Sequence, residues 1–279
     1  MNIQNQTIEG PHGRIPIRTY RHGDSPTRKG ILWLHGGAFI GGNLDMPESD
    51  WVACRLADAG LLVVTVDYRL APTPEWMQPH VPAKPIGWRF PVQLDEILAA
   101  WEWMRQTHAE LKTIALGGAS AGGNLAAGTA LRLRDGGEQL PSHLVLAYPL
   151  VHKELPPMDS ELLAKYDTLP IEARFSPETV RLINENYVGD SSELDNAYAF
   201  PGGHDLGGLP PSLIVNSDID SLRSSGEAFA AELSAAGVAT TVSFEPGTAH
   251  GHLDQPQTDG AQSTIATIVG WLHSSAPRS

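Results

Sequence analysis

Cysteine is almost absent from this chain. Its 279 residues include one, Cys54, so no disulfide can close within it. A reducing compartment, the cytoplasm, is expected, with Cys54 as a buried structural residue on a helix. No run of about 18 apolar residues occurs, so no membrane-spanning helix and no membrane insertion are expected. The opening MNIQNQTIEGPHGR has neither a basic start nor an apolar stretch, so no secretory signal is read there. Basic residues are scarce, 19 Lys and Arg against 32 Asp and Glu, for a net charge of −13. That balance argues against nucleic acid or an anionic membrane surface as a partner. Clusters of His, Cys and carboxylates at metal-ligand spacing are lacking, and no phosphate loop or G-x-G-x-x-G precedes a helix. Neither a metal nor a nucleotide cofactor is expected.

What is present alternates between two periodicities. Residues 3–9 and 15–20 read as a strand pair joined at Pro11-His12-Gly13. Strand-like apolar runs follow at 30–34, 61–66, 113–116, 143–148, 212–216 and 238–244. Helical spacing fills 47–59, 90–108, 124–134, 222–236 and 258–273, with a shorter helix at 177–187. Pro47 opens the first of these, with Glu48 and Asp50 in its first turn and Gly60 after its end. Strands alternating with helices imply an α/β fold with a doubly wound, mostly parallel sheet and helices on both faces. One domain over residues 1–279 is expected, interrupted by irregular insertions at 73–89 and 152–190.

The stretch 112–134, KTIALGGASAGGNLAAGTALRLR, organises the chain. A short apolar strand runs into Gly117-Gly118-Ala119-Ser120-Ala121-Gly122-Gly123, and a helix follows. Gly118 and Gly122 flank Ser120 at G-x-S-x-G spacing, the context of a nucleophile elbow. Small neighbours are required because the serine backbone is strained and crowded. The helix that follows aims its N-terminal N–H groups at Ser120.

A serine needs a base, and the base needs an orienting acid. Both are expected on loops at strand C-termini, in the order Ser, acid, His. SDIDSLR after the strand at 212–216 offers Asp218 and Asp220; EPGTAHGHLD after 238–244 offers His250 and His252. The residues themselves do not choose within either pair. Oxyanion donors are expected from the N–H of Ala121 and from His35-Gly36-Gly37-Ala38-Phe39, where glycines let the backbone face a substrate. His12, His22, His108 and His273 read as solvated, and His80 and His152 lie in the insertions.

HGGAF at 35–39, DYRLAP at 67–72, GGASAGGN at 117–124, DLGGLPPSLI at 205–214 and AHGHLDQP at 249–256 occur in this order. Together they resemble the hormone-sensitive-lipase-like branch of the α/β-hydrolases, mostly bacterial carboxylesterases, over nearly the whole chain. The resemblance implies Ser120 as nucleophile, Asp220 of DSLR as triad acid, His250 as base, and Gly37, Ala38 and Ala121 as oxyanion donors. It implies that His35 and the Asp67-Tyr68-Arg69 segment hold the oxyanion loop. The chain departs from the pattern at Ala119, which replaces an Asp or Thr, at Ala38, which replaces a third Gly, and at His252, which replaces a Phe. About 30 residues precede HGG, so the family's N-terminal cap helices are expected to be missing.

The implied function is a serine carboxylesterase working through an acyl-enzyme without a cofactor, its partner a small-molecule ester. An amidase, a carbamate hydrolase or an acyltransferase would use the same triad, and a receptor on a hydrolase scaffold would have lost part of it. A homodimer is left open. The Pro-rich segment 73–89 leaves the C-terminal edge of the strand at 61–66, near Ser120. Its Trp76, Met77, Ile86 and Trp88 would be costly to expose. Trp76 and Trp88 are therefore expected to wall a confined apolar pocket that favours short acyl groups.

Overall fold

A computed structural model describes residues 1–23, 27–77 and 86–274. The strands are β1 (Asn2–Ile8), β2 (Ile15–Arg21), β3 (Lys29–Leu34), β4 (Leu62–Val66), β5 (Thr113–Ala119), β6 (Leu144–Ala147), β7 (Ser212–Ile219) and β8 (Thr240–Ala249). They form one eight-stranded sheet in the order β1-β2-β4-β3-β5-β6-β7-β8. β1 and β2 form the expected hairpin, β2 is antiparallel to β4, and every other pairing is parallel. The helices are α1 (Asp50–Asp58), α2 (Val92–Thr107), α3 (Ala121–Asp135), α4 (Ser160–Tyr166), α5 (Pro177–Val188), α6 (Arg223–Ala235) and α7 (Asp259–Ser274). No helix among the described residues is long and apolar enough to cross a membrane.

The two-residue period of the central strands builds two cores. Ile31 and Trp33 of β3 and Val63 of β4 face α1 and α7, meeting Val52, Leu56, Ile265 and Ile268. Leu32, Leu34, Val64 and Val66 face the other way, toward Leu94, Ile97 and Trp101 of α2, Leu125 of α3 and Phe229 of α6. Covered on both faces, these strands read as unbroken apolar runs rather than as alternation. A one-residue slip would exchange the two sets, so the register is strongly fixed. The parallel strands all end along one edge, and the loops leaving β3, β5, β7 and β8 there carry the candidate site.

Two boundaries differ from expectation. α1 begins at Asp50, not Pro47, and the backbone before it is a turn in which Ser49 and Asp50 both donate to Met46 O. β8 runs on through Ala249, beyond the apolar stretch that ends at Phe244. Cys54 lies on α1 as expected, but half-buried. The insertion 152–190 holds α4 and α5. Asp159 caps α4 through Leu162 N, and Ser176 caps α5 through Thr179 N ahead of Pro177 at the first turn. Asn186 of α5 donates to Pro72 O and Phe90 N to Tyr187 O, so the ends of the two insertions dock on each other.

Candidate active site

β5 ends at Ala119 and α3 starts at Ala121, leaving Ser120 alone at the turn with φ 53° and ψ −118°. This strained conformation is held from both sides. Ser120 N donates to Ala147 O at the end of β6, and Ser120 O accepts Asn124 N of α3. A Cβ at Gly118 would overlap the Gly122 backbone, and one at Gly122 would overlap Leu34 O and His35 O. The G-x-S-x-G glycines are therefore steric requirements: they let α3 press against the end of β3.

Ser120 Oγ lies 2.9 Å from His250 Nε2, and His250 Nδ1 lies 2.6 Å from Asp220 Oδ2. Burial pushes the His250 imidazole toward its neutral form, but Asp220 by charge and hydrogen bond, and Glu48 and Asp254 by charge, outweigh it. Its pKa is raised above the ordinary His value. Asp220 is itself buried and also caps Leu222 N. The rings of Tyr148 and Phe175 meet His250 edge-on, at 5.1 and 4.8 Å between centroids.

The alternatives within each pair go elsewhere. Asp218 accepts from Lys165 Nζ at 2.5 Å, from Arg223 Nη1 at 3.2 Å and from Gly247 N at 2.9 Å. Burial opposes its charge, and these donors overcome burial and lower its pKa. His252 turns inward between Ser217 Oγ and Thr264 Oγ1, at 2.9 and 2.8 Å. Burial, helped by the charge of His250, lowers its pKa to about 4.

The loop after β3 turns at Gly37, Ala38 and Phe39, with φ values of 107°, 53° and 64°. Gly37 O accepts from Ile40 N and Gly41 N. Among the described residues no acceptor takes the N–H of Gly37 or Ala38. The loop is braced from behind: Tyr68 Oη donates to His35 O at 2.6 Å and its ring stacks on His35 at 4.3 Å. Phe39 stacks on Tyr187 of α5 at 3.9 Å. Arg69 pairs with buried Glu96 of α2.

Glu48 went unnoticed in the sequence as anything but a helix-start acid. Its side chain is buried, 2% exposed. Oε1 accepts Gly36 N and Oε2 accepts the Tyr148 hydroxyl, both at 2.6 Å. Tyr148 has φ 35°. With Ala38, Phe39 and Ser120 it completes the non-glycine residues of positive φ among the described residues. All of them stand around this site, where backbone strain tends to collect.

Ser120, Gly37, Ala38 and His250 open onto one cavity of about 600 Å³, within the usual range for small-molecule sites. Ile40, Met46, Met77, Ala173 and Phe175 give it apolar walls, while Glu48 and Asp254 line its polar side. Trp76 and Trp88 are not among its described lining, contrary to expectation. They stay 40% and 44% exposed, and Ile86 88%. Trp88 N donates to Leu70 O, and the ring lies under the Arg69 guanidinium at 5.2 Å. Apolar character argued for docking of this segment but did not say against what; among its described residues, Met77 is the side chain that reaches the pocket. Phe175 was missed because nothing local marks it. Its carbonyl is tied to Ser221 Oγ at 2.7 Å, one residue beyond Asp220.

His152 is buried against Ser225 and Glu232, away from Ser120. His80 lies outside the described residues. His12 and His108, expected in solvent, are half-buried beside Asp95 and Glu110. Among the described residues no group of three or more His, Cys, Asp or Glu is placed to hold a metal ion.

A family described as alpha/beta hydrolase fold matches residues 31–254. Esterase LipI of Mycobacterium tuberculosis is 32% identical over 267 residues, covering 91% of this chain and 75% of that protein. The chain spans about two thirds to three quarters of the length of several curated relatives it matches. A solved esterase of Pyrobaculum calidifontis aligns with a TM-score of 0.82 at 30% identity, over 98% of this chain and 85% of its own. A solved esterase from the bacterial hormone-sensitive lipase family aligns with a TM-score of 0.79 at 27% identity, over 97% of this chain and 84% of its own.

Proposed function

The chain belongs to the alpha/beta-hydrolase fold family, in its hormone-sensitive-lipase-like branch, and on that premise we propose a serine carboxylesterase acting on small, short-acyl esters. The observation that carries this reading is the unbroken relay from Ser120 Oγ through His250 to Asp220, opening onto an apolar cavity. The relatives' names, esterases throughout those reported, give the reaction class.

In this mechanism Ser120 Oγ attacks the ester carbonyl carbon as His250 Nε2 takes its proton. Asp220 accepts from Nδ1–H, fixing the tautomer and stabilising the imidazolium. Gly37, Ala38 and Ala121 offer N–H donors to the oxyanion, and the N-terminus of α3 adds its positive end. His250 then protonates the departing alkoxide, leaving Ser120 acylated. A water enters, His250 takes its proton, and the same oxyanion site serves deacylation. The cavity sets the size limit: Met77, Ala173 and Phe175, from the insertions 73–89 and 152–190, form a cover over one domain. Cys54, half-buried and in no disulfide, suits a reducing compartment such as the cytoplasm.

The test is hydrolysis of p-nitrophenyl esters from acetate to palmitate by wild type and Ser120→Ala, with fluorophosphonate labelling of the same proteins. Short esters should turn over fastest, and Ser120→Ala should neither turn over nor label. A wild type that labels at a residue other than Ser120, or prefers palmitate, overturns the assignment.

A further inference from the structure

Glu48 is an expensive residue to keep where it is. A buried carboxylate needs compensation, and among the described residues no Lys or Arg pairs with it. Isolated burial of such a charge disfavours the folded state, and an apolar side chain of similar size would cost less. Its partners are instead parts of the proposed active site. Oε1 holds Gly36 N, the peptide preceding the donors Gly37 and Ala38. Oε2 holds the hydroxyl of Tyr148, whose ring packs against both His250 and His252. The backbone is fixed as well. Trp33 Nε1 of β3 donates to Glu48 O, and Glu48 N donates to Asp254 Oδ1 beyond β8, each at 2.9 Å. The carboxylate is close to the nucleophile: a Cβ on Gly36 would overlap Glu48 Oε1 and lie 3.0 Å from Ser120 Cβ.

We propose that Glu48 is a positioning residue for ester hydrolysis: its carboxylate clamps the oxyanion loop to the Tyr148 support of His250, and its charge steadies the imidazolium. This rests on the esterase reading above and adds a group which that mechanism does not use. The titratable groups facing Glu48 are Tyr68 from beyond β4, Tyr148 from the end of β6, and His250 and Asp254 from beyond β8. Burial and the charge of Asp254 push the Glu48 carboxyl up to about 7, against the Tyr148 and Gly36 hydrogen bonds and the charge of His250. The carboxylate in turn raises the basicity of His250. As pH rises through neutrality Glu48 ionises, accepts from both donors at once, and supports the cation that forms on His250. Below that range one oxygen carries a proton, and the clamp loses an acceptor site and its charge.

The experiment compares wild type with Glu48→Gln on p-nitrophenyl butyrate from pH 5 to 9, with thermal unfolding as the check on folding. Glu48→Gln should lower kcat by about 10- to 100-fold, as expected for a small misalignment of catalytic groups, with KM within about threefold. The wild-type kcat/KM profile should rise through two ionisations near neutrality. The variant should keep one, shifted to lower pH because His250 has lost an anionic neighbour. Tyr148→Phe removes one hydroxyl and serves if Glu48→Gln does not fold. Loss of that donor should move the Glu48 ionisation to higher pH. An active wild type with unchanged kcat and profile in Glu48→Gln, or with an unmoved profile in Tyr148→Phe, overturns the proposal alone. A wild type that turns over no ester overturns the esterase reading and this proposal with it.

Discussion

The floor of the pocket and its cover are built by different means. Gly37, Ala38 and Ser120 leave the ends of β3 and β5, parallel strands whose register is locked by cores on both faces, and His250 leaves the end of β8, an edge strand held in register by its parallel ladder with β7. Met77, Ala173 and Phe175 come from segments that join no strand. Phe175 is held by the Ser221 hydroxyl on its carbonyl, an edge-on contact with His250 and packing beside the small cluster of Leu150, Val180 and Leu222. The difference teaches how labour divides: a rigid ladder positions the chemistry, and a few contacts set the shape of what is admitted. Changes to the floor should therefore strike kcat, and changes to the cover should alter which ester is preferred.

The largest effects test the floor. Ser120→Ala and His250→Ala should each lower kcat by roughly 10⁴–10⁶, and Asp220→Asn by about 10⁴. Asp218→Asn should keep kcat within about tenfold, because its side chain serves Lys165, Arg223 and Gly247 rather than His250. Purified, folded variants with the ranking of Asp218 and Asp220 reversed would break the assignment of the acid. The pH dependence has a definite sign. The base acts when neutral, so kcat/KM should rise with pH, the His250 ionisation lying above the ordinary His value because Asp220, Glu48 and Asp254 together outweigh burial. A flat profile from pH 5 to 8 would remove His250 as base.

Next is the scaffold beneath the floor. His252 is held neutral, with a folded pKa of about 4 against about 6.5 unfolded. Between those values the unfolded chain binds the extra proton. The stabilisation is complete above about pH 6.5 and is lost as pH falls toward 4, on the order of 3 kcal/mol in all. Replacing His252 by Gln should flatten that part of the stability curve measured by urea unfolding between pH 7 and 4. Equal slopes in both proteins would mean that His252 is not the group held neutral.

Much of the floor is legible in the sequence. The strands announced themselves by composition, and the elbow by two glycines around one serine. Choosing His250 over His252 was beyond the residues alone. The choice turns on β8 running through Ala249 and on Gly251 taking φ 75°, which sends the next histidine to the other side. Glu48 was illegible for a different reason: its backbone partners, Trp33 and Asp254, lie 15 and 206 residues away. Pro47-Glu48-Ser49-Asp50 looks locally like the start of a helix, and only the tertiary fold turns that carboxylate inward. The positive φ of Tyr148 and Phe39 gave no warning either, since neither aromatic residue favours that conformation. The carboxylate beside the elbow comes from Glu48, while Ala119 brings no hydrogen-bonding side chain of its own.

The cover responds more weakly and in a different quantity. Phe175 gives His250 an apolar edge and gives the cavity a wall. Phe175→Ala should lower kcat/KM for butyrate by about tenfold through loss of apolar contact of 1–2 kcal/mol, with a smaller loss for acetate. Equal losses on both esters would show that Phe175 acts on the base rather than on the acyl chain.

The smallest effect is the most discriminating, because it separates Met77 from the two tryptophans of the segment 73–89. Met77 lines the cavity, whereas Trp88 lies under Arg69 and Trp76 is 40% exposed. Met77→Ala removes a flexible thioether from the pocket wall and frees room for a few methylenes, each worth about 0.8 kcal/mol when buried. The acyl-chain optimum should move one or two carbons longer, with a few-fold lower KM for the longer esters. Trp76→Ala and Trp88→Ala should leave the profile within about twofold of wild type. Trp88→Ala should also lose the stacking on Arg69, about 0.5–1 kcal/mol, which a chain of this size registers as a Tm lower by about 2 °C. Steady-state kinetics over acetate, butyrate, hexanoate and octanoate read all three variants. If the tryptophan variants shift the profile and Met77→Ala does not, the wall of the pocket runs through Trp76 and Trp88, and the division between floor and cover has to be redrawn there.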